Sequence, residues 1–431
     1  MPKKKELPPL DINDRLTAAL ANSALGFETA EDVLKNAKYL DFCDPVTGLP
    51  TLSQEWFLGS KGFLRGRSTV FRAAFSAGKS TYLYALYGAA QRQYNALCLH
   101  IETEGAPAPP DRVKRLGADP KKLRQRVSNS LDDCFESMDT FVCTIRGGFG
   151  GMVGATGRVL KTKFTDPLDP DMNYPILLGV DSLSELALDK DASIDVMDAN
   201  RVTGVAETAR VMRKFFKNRA QRYATNDVTL FVTAHETDKI STGPMPGGGK
   251  SFIAEKAVGG GATFGIAMSD TTKWYDKSTG VLKGEIMHLN TFKNKWSPRY
   301  RHLDIFLTEK NGIDFIHTDC EFLTKSDFSP FKNPAFRLLR NDGRPYEISK
   351  TSVISCDAVS DKSFKSEEEF IRAFYANEDL VMKCRENMRI RGFGHDWETK
   401  YEGPDDVAEQ DAEYETGAEK SKDFMPGDFD N

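Results

Sequence analysis

The sequence predicts an α/β protein built on a mostly parallel sheet. Three observations carry this. Short apolar runs recur, each bounded by turn residues, as in strands covered on both faces. Helical stretches alternate with them. The first run leads through a tight Gly-containing turn into a helix. With 431 residues and 48.1 kDa, the chain has room for one large core with appendages.

Residues 1–50 read as a helical lead-in suited to self-association. Asp11 to Lys38 has helix-forming composition interrupted near Gly26, and Cys43–Pro50 (CDPVTGLP) is turn chemistry. The core is expected over 51–325. Ser68–Arg72 is β-prone, and a helix follows over about Ser80–Gln93. The runs Ala96–Ile101, Ile176–Val180 and Val228–Thr233 give three further strands. Before the last, Val205, Ala209, Met212 and Phe216 form the apolar stripe of a helix. Strands are expected at Glu285–Phe292, His302–Thr308 and Ile313–Phe315. A smaller domain over 326–400 carries a helix around Ser366–Arg385.

The last segment, 401–431, is an acidic tail expected to be disordered. From Glu402 onward it holds 11 acidic residues against Lys420 and Lys422, leaving the rest of the chain mildly basic although the net charge is −5. That asymmetry points to a polyanion partner and a segment that can compete with it. Seven scattered cysteines with no Cys-x-x-Cys pair argue for a reducing, cytoplasmic setting rather than a disulfide or zinc framework. No apolar run approaches the ~20 residues of a membrane span, and no apolar segment follows Met1–Glu6 to make a secretory signal.

The strongest local signal is Ala73-Ala-Phe-Ser-Ala-Gly78-Lys79-Ser80. It follows the phosphate-loop spacing G-x4-G-K-[ST], with Ala73 in the first glycine position. Successive backbone N–H groups and a helix N-terminus would cradle phosphates. Ala73, Ser76, Ala77, Gly78, Lys79, Ser80 and Thr81 would hold the nucleotide. Lys79 would reach the β- and γ-phosphates, and Ser80 would ligate Mg²⁺. Ala73 requires that the backbone there not adopt positive φ.

Asp181 ends the Ile176–Val180 run, at a strand expected to neighbour the loop, and would complete the Mg²⁺ site. Glu102 and Glu104 follow the Ala96–Ile101 run. Glu104 is preferred as the carboxylate that orients the attacking water, with solvated surface the competing reading for either. His235 follows the Val228–Thr233 strand and reads as a γ-phosphate sensor or an ordinary strand-end histidine. The Gly-rich segment Thr237–Phe264 carries Lys239, Lys250 and Lys256 interleaved with Phe252 and Ile253. Lysines on phosphates and apolar side chains against bases would suit single-stranded nucleic acid. A second Gly-rich stretch, Gly147–Gly157, fails the dinucleotide pattern at Val153 and reads as an insertion.

With these residues in hand, the stretch 52–320 resembles the RecA-type recombinases, more closely the UvsX recombinases of tailed phages. Leu64–Val70, Ile101–Gly105, Lys114–Pro120, Val180–Leu183, Ala234–Thr237, Val258–Gly261 and Leu289–Lys295 carry the resemblance, in order. It implies a RecA-like P-loop NTPase core that uses ATP and Mg²⁺. It also implies a helical filament of identical subunits on single-stranded DNA, pairing with double-stranded DNA, strand exchange, and single-strand-binding and mediator proteins as partners. A phage protein would work in the cytoplasm of a bacterial host.

The resemblance further implies catalytic roles for Glu104, Lys79, His235, Lys293 and Lys295, the last two reaching a neighbouring subunit's phosphates. It puts a first DNA-binding loop near Ser193–Gly204, with Arg201 as a contact, and Arg112 where an adenine-stacking side chain is often found. The competing readings are a helicase or motor ATPase on the same core, and a non-hydrolysing single-stranded-DNA-binding scaffold.

Overall fold

The computed structural model describes residues 37–40, 51–146, 174–188, 205–238, 250–252, 255, 258, 260–276, 279–308, 312–351 and 353–388. In chain order the central region holds α1 (Leu52–Leu58), β3 (Ser68–Ala73), α2 (Lys79–Tyr94), β4 (Leu97–Glu102), α3 (Pro110–Arg115), β5 (Leu123–Val127) and α4 (Leu131–Arg146). Then come β6 (Ile176–Asp181), α5 (Val205–Thr225), β7 (Val228–Asp238), β8 (Lys250–Phe252), β9 (Phe264–Met268), β10 (Thr272–Tyr275), β11 (Leu282–Asn294), β12 (His302–Thr308), β13 (Gly312–Ile313) and α6 (Phe315–Lys325). A two-stranded ribbon, β1 (Tyr39–Leu40) with β2 (Phe63–Leu64), precedes β3.

One eleven-stranded sheet runs β13-β12-β11-β9-β3-β7-β6-β4-β5, with β10 on β11 and β8 on β7. The block from β9 to β5 is parallel throughout; β10 to β13 and β8 are added antiparallel. The chain is therefore α/β with a large, mostly parallel central sheet. Contrary to expectation, the strand of Asp181 does not neighbour the strand of the loop: β7 lies between β3 and β6. Crossover helices free strand order from chain order, so sequence position gives no lateral address.

Alternation sorts the strand residues between two faces. Phe71, Ala73, Cys98, Leu177 and Phe231 pack beneath Leu83 and Tyr87 of α2. Val70, Leu99, Ile101, Leu178, Val180 and Val232 pack against Phe135 and Met138 of α4 and Met212 and Phe216 of α5. The rings of Phe135 and Phe215 stack at 3.6 Å. Beneath that contact Arg219 donates two N–H groups to buried Asp139.

The expected strand at Ile313–Phe315 ends at Ile313. Asp314 instead caps α6, accepting from the His317 N–H at 2.9 Å. The single helix expected over Ser366–Arg385 is two, α7 (Glu367–Ala376) and α8 (Glu378–Asn387), broken at Asn377, whose side chain caps α8. Strands β14 (Ile348–Lys350), β15 (Ile354–Cys356) and β16 (Ser360–Phe364) form a separate small sheet.

The division expected at 325/326 falls inside one packed cluster. Leu52 and Trp56 of α1 and Leu323 of α6 share it with Phe336, Ile354, Phe370 and Phe374. The segments 1–36, 41–50 and 389–431, including the acidic tail, lie outside the described residues. Among the described residues, six cysteines are buried and unbridged. Among the described residues, no helix is long and apolar enough to cross a membrane.

Candidate functional site

The ends of four strands converge where β3 turns into α2. Ala73 is the last, fully buried residue of β3 and does not adopt positive φ, so the missing glycine leaves no strain there. Positive φ falls instead at Ser76 (61°) and Gly78 (84°). The conformation demands glycine, and a Cβ on Gly78 would also stand 2.4 Å from Met287 Sδ, so that side chain would have to shift. Gly78 is the N-cap of α2 and supplies no capping side chain, so the first-turn N–H groups meet none. Ala77 is buried in the core; Ser76 is exposed, and Ser80 and Thr81 are half-buried on the first turn of α2.

Lys79 is only 6% exposed. Its ammonium donates to the Ala74 carbonyl at 2.7 Å and lies 3.3 Å from His235 Nδ1. Burial pushes its pKa down, opposed by the charges of Asp181, Glu104 and Glu236. The other ring nitrogen of His235, Nε2, is 2.9 Å from Glu104 Oε1. The His235 N–H donates to Ser184 Oγ at 2.8 Å, and the Phe75 ring stacks on the imidazole at 4.0 Å. The register explains the meeting: Ala73 pairs with His235, and Glu102 pairs with Asp181.

Asp181 presents a divided carboxylate. Oδ1 accepts from the Thr233 hydroxyl, whereas Oδ2 is buried with no hydrogen-bond partner. An unpartnered buried carboxylate oxygen fits a hard cation such as Mg²⁺, toward which Ser80 Oγ would be the second ligand. Thr103 ties β4 to β6: its N–H donates to the Asp181 carbonyl and its hydroxyl to the Ser182 carbonyl. Glu104 then projects from the end of β4 with its side chain 42% exposed.

The expected residues Lys79, Glu104 and His235 thus meet, and Asp181 is near enough for its charge to act on Lys79. Arg112 lies to one side, its guanidinium 3.4 Å from Thr81 Oγ1, at a cavity of about 320 Å³ also lined by Leu282, Gly284, Leu307 and Gly312. Lys293 and Lys295 do not join the cluster. Lys293 pairs with Gly265 at the start of β9, and the Lys295 N–H donates to the Thr263 carbonyl. Thr263 in turn bonds to Ser68, five residues before Ala73 on β3. That is roughly 16 Å from the loop at ~3.3 Å per strand residue. The Lys293 ammonium donates to the Gly260 carbonyl at 3.0 Å; burial, then Lys295, lowers its pKa.

One expectation is corrected. Phe252, expected to meet bases, is 3% exposed, with its ring edge-on to Phe292 at 6.4 Å. Pairing of Phe252 with Glu236 carries β8 back over the sheet, so the ring anchors the segment. Lys250 begins β8. Arg201, Lys239, Ile253, Lys256 and the insertion Gly147–Gly157 lie outside the described residues. Sequence reasoning missed Phe75, Thr233 and Ser184, whose contacts depend on strand register. An aromatic inside the phosphate-loop spacing was the one available signal, for Phe75.

No family model matches this chain, and no curated protein matches it either.

Proposed function

We propose that the chain is a DNA-dependent ATPase of the RecA recombinase type, which assembles on single-stranded DNA and carries out homologous pairing and strand exchange. The convergence of Lys79, Asp181, Glu104 and His235 at the carboxyl ends of parallel strands, beside an uncapped helix N-terminus, carries the reading. Ligands of open α/β sheets bind at that edge.

In this reading, the first-turn N–H groups of α2 and Lys79 bind the phosphates of ATP. Ser80 and Asp181 hold Mg²⁺, which neutralises developing charge when bound. Lys79 exchanges the Ala74 carbonyl for phosphate oxygens. Glu104, exposed enough to meet water, orients it and accepts its proton. Arg112 and the cavity beside it take the base. His235 bridges Lys79 and Glu104 and is continuous through β7 with Glu236–Asp238 and their partner β8. It therefore couples the nucleotide to the segment 237–258, which would hold DNA. The distance of Lys293 and Lys295 from their own loop supports delivery of these cations to a neighbouring copy, which would link hydrolysis to filament assembly.

The test is ATP hydrolysis with and without single-stranded DNA, together with negative-stain images. Stimulated turnover and helical filaments are expected. Closed rings would favour a motor ATPase. Absence of both stimulation and assembly would sink the proposal.

A further inference from the structure

Beside the Lys79–His235–Glu104 cluster lies a second polar group, of which the nucleotide reading uses only Asp181. His100, Glu102 and Asp181 are each more than nine-tenths buried, and one potential ligand atom of each lies within 4.8 Å of the others. They share a face of β4 and β6: His100 pairs with Gly179 and Glu102 with Asp181. Among the described residues, no Lys or Arg is within ion-pair distance of either carboxylate. Buried charges without such partners are ordinarily paired or coordinate metals.

Each of the three residues has one side-chain atom already engaged. Glu102 Oε1 accepts from the Glu104 N–H at 2.9 Å, and Asp181 Oδ1 accepts from Thr233. His100 Nδ1 lies 3.2 Å from the Tyr87 hydroxyl. This leaves Glu102 Oε2, Asp181 Oδ2 and His100 Nε2. The latter two are buried with no hydrogen-bond partner, and Nε2 stands 3.5 Å from Oε2. Two ligands at ~2.1 Å on a tetrahedral ion lie ~3.4 Å apart. Engaging the second atom of each ligand is how proteins fix imidazole tautomer and carboxylate orientation around a metal. Here an Nδ1–H donating to Tyr87 would leave Nε2 as the ligand.

The two other histidine–carboxylate clusters lack this character. In His288–His302–Asp304, both imidazoles already lie 2.6 Å from Asp304 Oδ1. In His317–Glu321–Glu367, the Lys350 ammonium occupies the carboxylates.

We infer that His100, Glu102 and Asp181 form a buried binding site for a divalent first-row transition ion, which ties the end of β4 to that of β6. An imidazole ligand favours Mn²⁺, Co²⁺ or Zn²⁺ over Mg²⁺, which prefers oxygen. Asp181 is shared with the Mg²⁺ position proposed above, so the inference extends that reading. It is tested without nucleotide.

The experiment titrates the full chain with Mn²⁺ alone and follows loss of the free-ion electron paramagnetic resonance signal. One saturable site per chain is expected, with nitrogen hyperfine coupling on the bound ion. His100→Gln should remove the coupling and saturable binding, whereas His302→Gln keeps both. Should His100→Gln fail to fold by circular dichroism, Tyr87→Phe serves instead. It releases only Nδ1 and should weaken binding about 10–100-fold. Lys79→Met should lose nucleotide yet keep Mn²⁺. An undiminished free-ion signal, or equal binding by His100→Gln, overturns the site while leaving hydrolysis of ATP to be judged separately.

Discussion

Replacement of Lys79 by methionine separates the ligand role of this side chain from its structural one. In the free protein two effects oppose each other. Methionine removes an ammonium that burial disfavours; it forfeits the attraction of Asp181, Glu104 and Glu236 and a charge-assisted hydrogen bond to the Ala74 carbonyl, the latter worth about 1.5–3 kcal/mol. Methionine fills nearly the same space beside Ala74 and His235. Nucleotide-free stability should therefore change by no more than about 1 kcal/mol. With MgATP the two proteins should part. Ligand at 100 times its dissociation constant stabilises by about 2.7 kcal/mol, or about 3 °C in Tm for a chain of 431 residues at ~2.1 cal/mol/K of unfolding entropy per residue. Wild type should show that shift in differential scanning fluorimetry and Lys79→Met should show none. Hydrolysis should fall by about 10²–10³, the usual loss when one preorganised donor is removed. A variant that melts several degrees lower without nucleotide would make Lys79 a structural residue. One that keeps the MgATP shift and turnover would remove the phosphate-loop assignment.

Three further outcomes follow from the packing. A Cβ on Gly179 would sit 1.6 Å from the Tyr87 hydroxyl of α2, so Gly179→Ala should cost about 1–3 kcal/mol in urea unfolding, and a neutral effect would show that α2 is loosely seated. Arg219→Met leaves Asp139 charged and fully buried. It should cost about 3–5 kcal/mol, most of it recovered by adding Asp139→Leu; a stable single variant would contradict the pairing. Burial raises the Glu367 carboxyl, but hydrogen bonds from His317 and Lys350 outweigh it and hold the pKa at about 2, below its ordinary 4.5. A depressed carboxylate stabilises above its unfolded pKa and loses that contribution as pH falls toward the folded value. The shift corresponds to about 3 kcal/mol, reduced by the 29% exposure of the side chain to on the order of 1–2 kcal/mol. The stability gap between wild type and Glu367→Gln should thus close between pH 5 and pH 2 in unfolding titrations; a constant gap would refute the network.

What could be read from the chain, and what could not, follows from where each signal resides. Strands β3, β4, β6 and β7 are covered on both faces, so each announces itself as an apolar run. At the edge of the same sheet, β5 (Leu-Arg-Gln-Arg-Val) has one buried residue and four exposed ones, and it carries no such mark. Helix α4 does carry one, Leu131, Cys134, Phe135, Met138 and Val142 at helical spacing. The site divides in the same way. Lys79, Asp181, Glu104 and His235 stand at positions that local spacing defines; Lys79, Glu104 and His235 meet, and the charge of Asp181 acts on Lys79. Phe75 against His235, and His100 beside Asp181, depend on pairings between strands dozens of residues apart. Phe252 fails in the opposite direction. Its lysine-rich surroundings suggest contact with nucleic-acid bases, and pairing with Glu236 accompanies a ring that is buried. If the segment from β7 to β8 holds DNA, the binding groups must therefore be its lysines and backbone. Phosphate contact should then dominate, affinity should fall steeply with salt, and Phe252→Leu should alter stability more than DNA affinity.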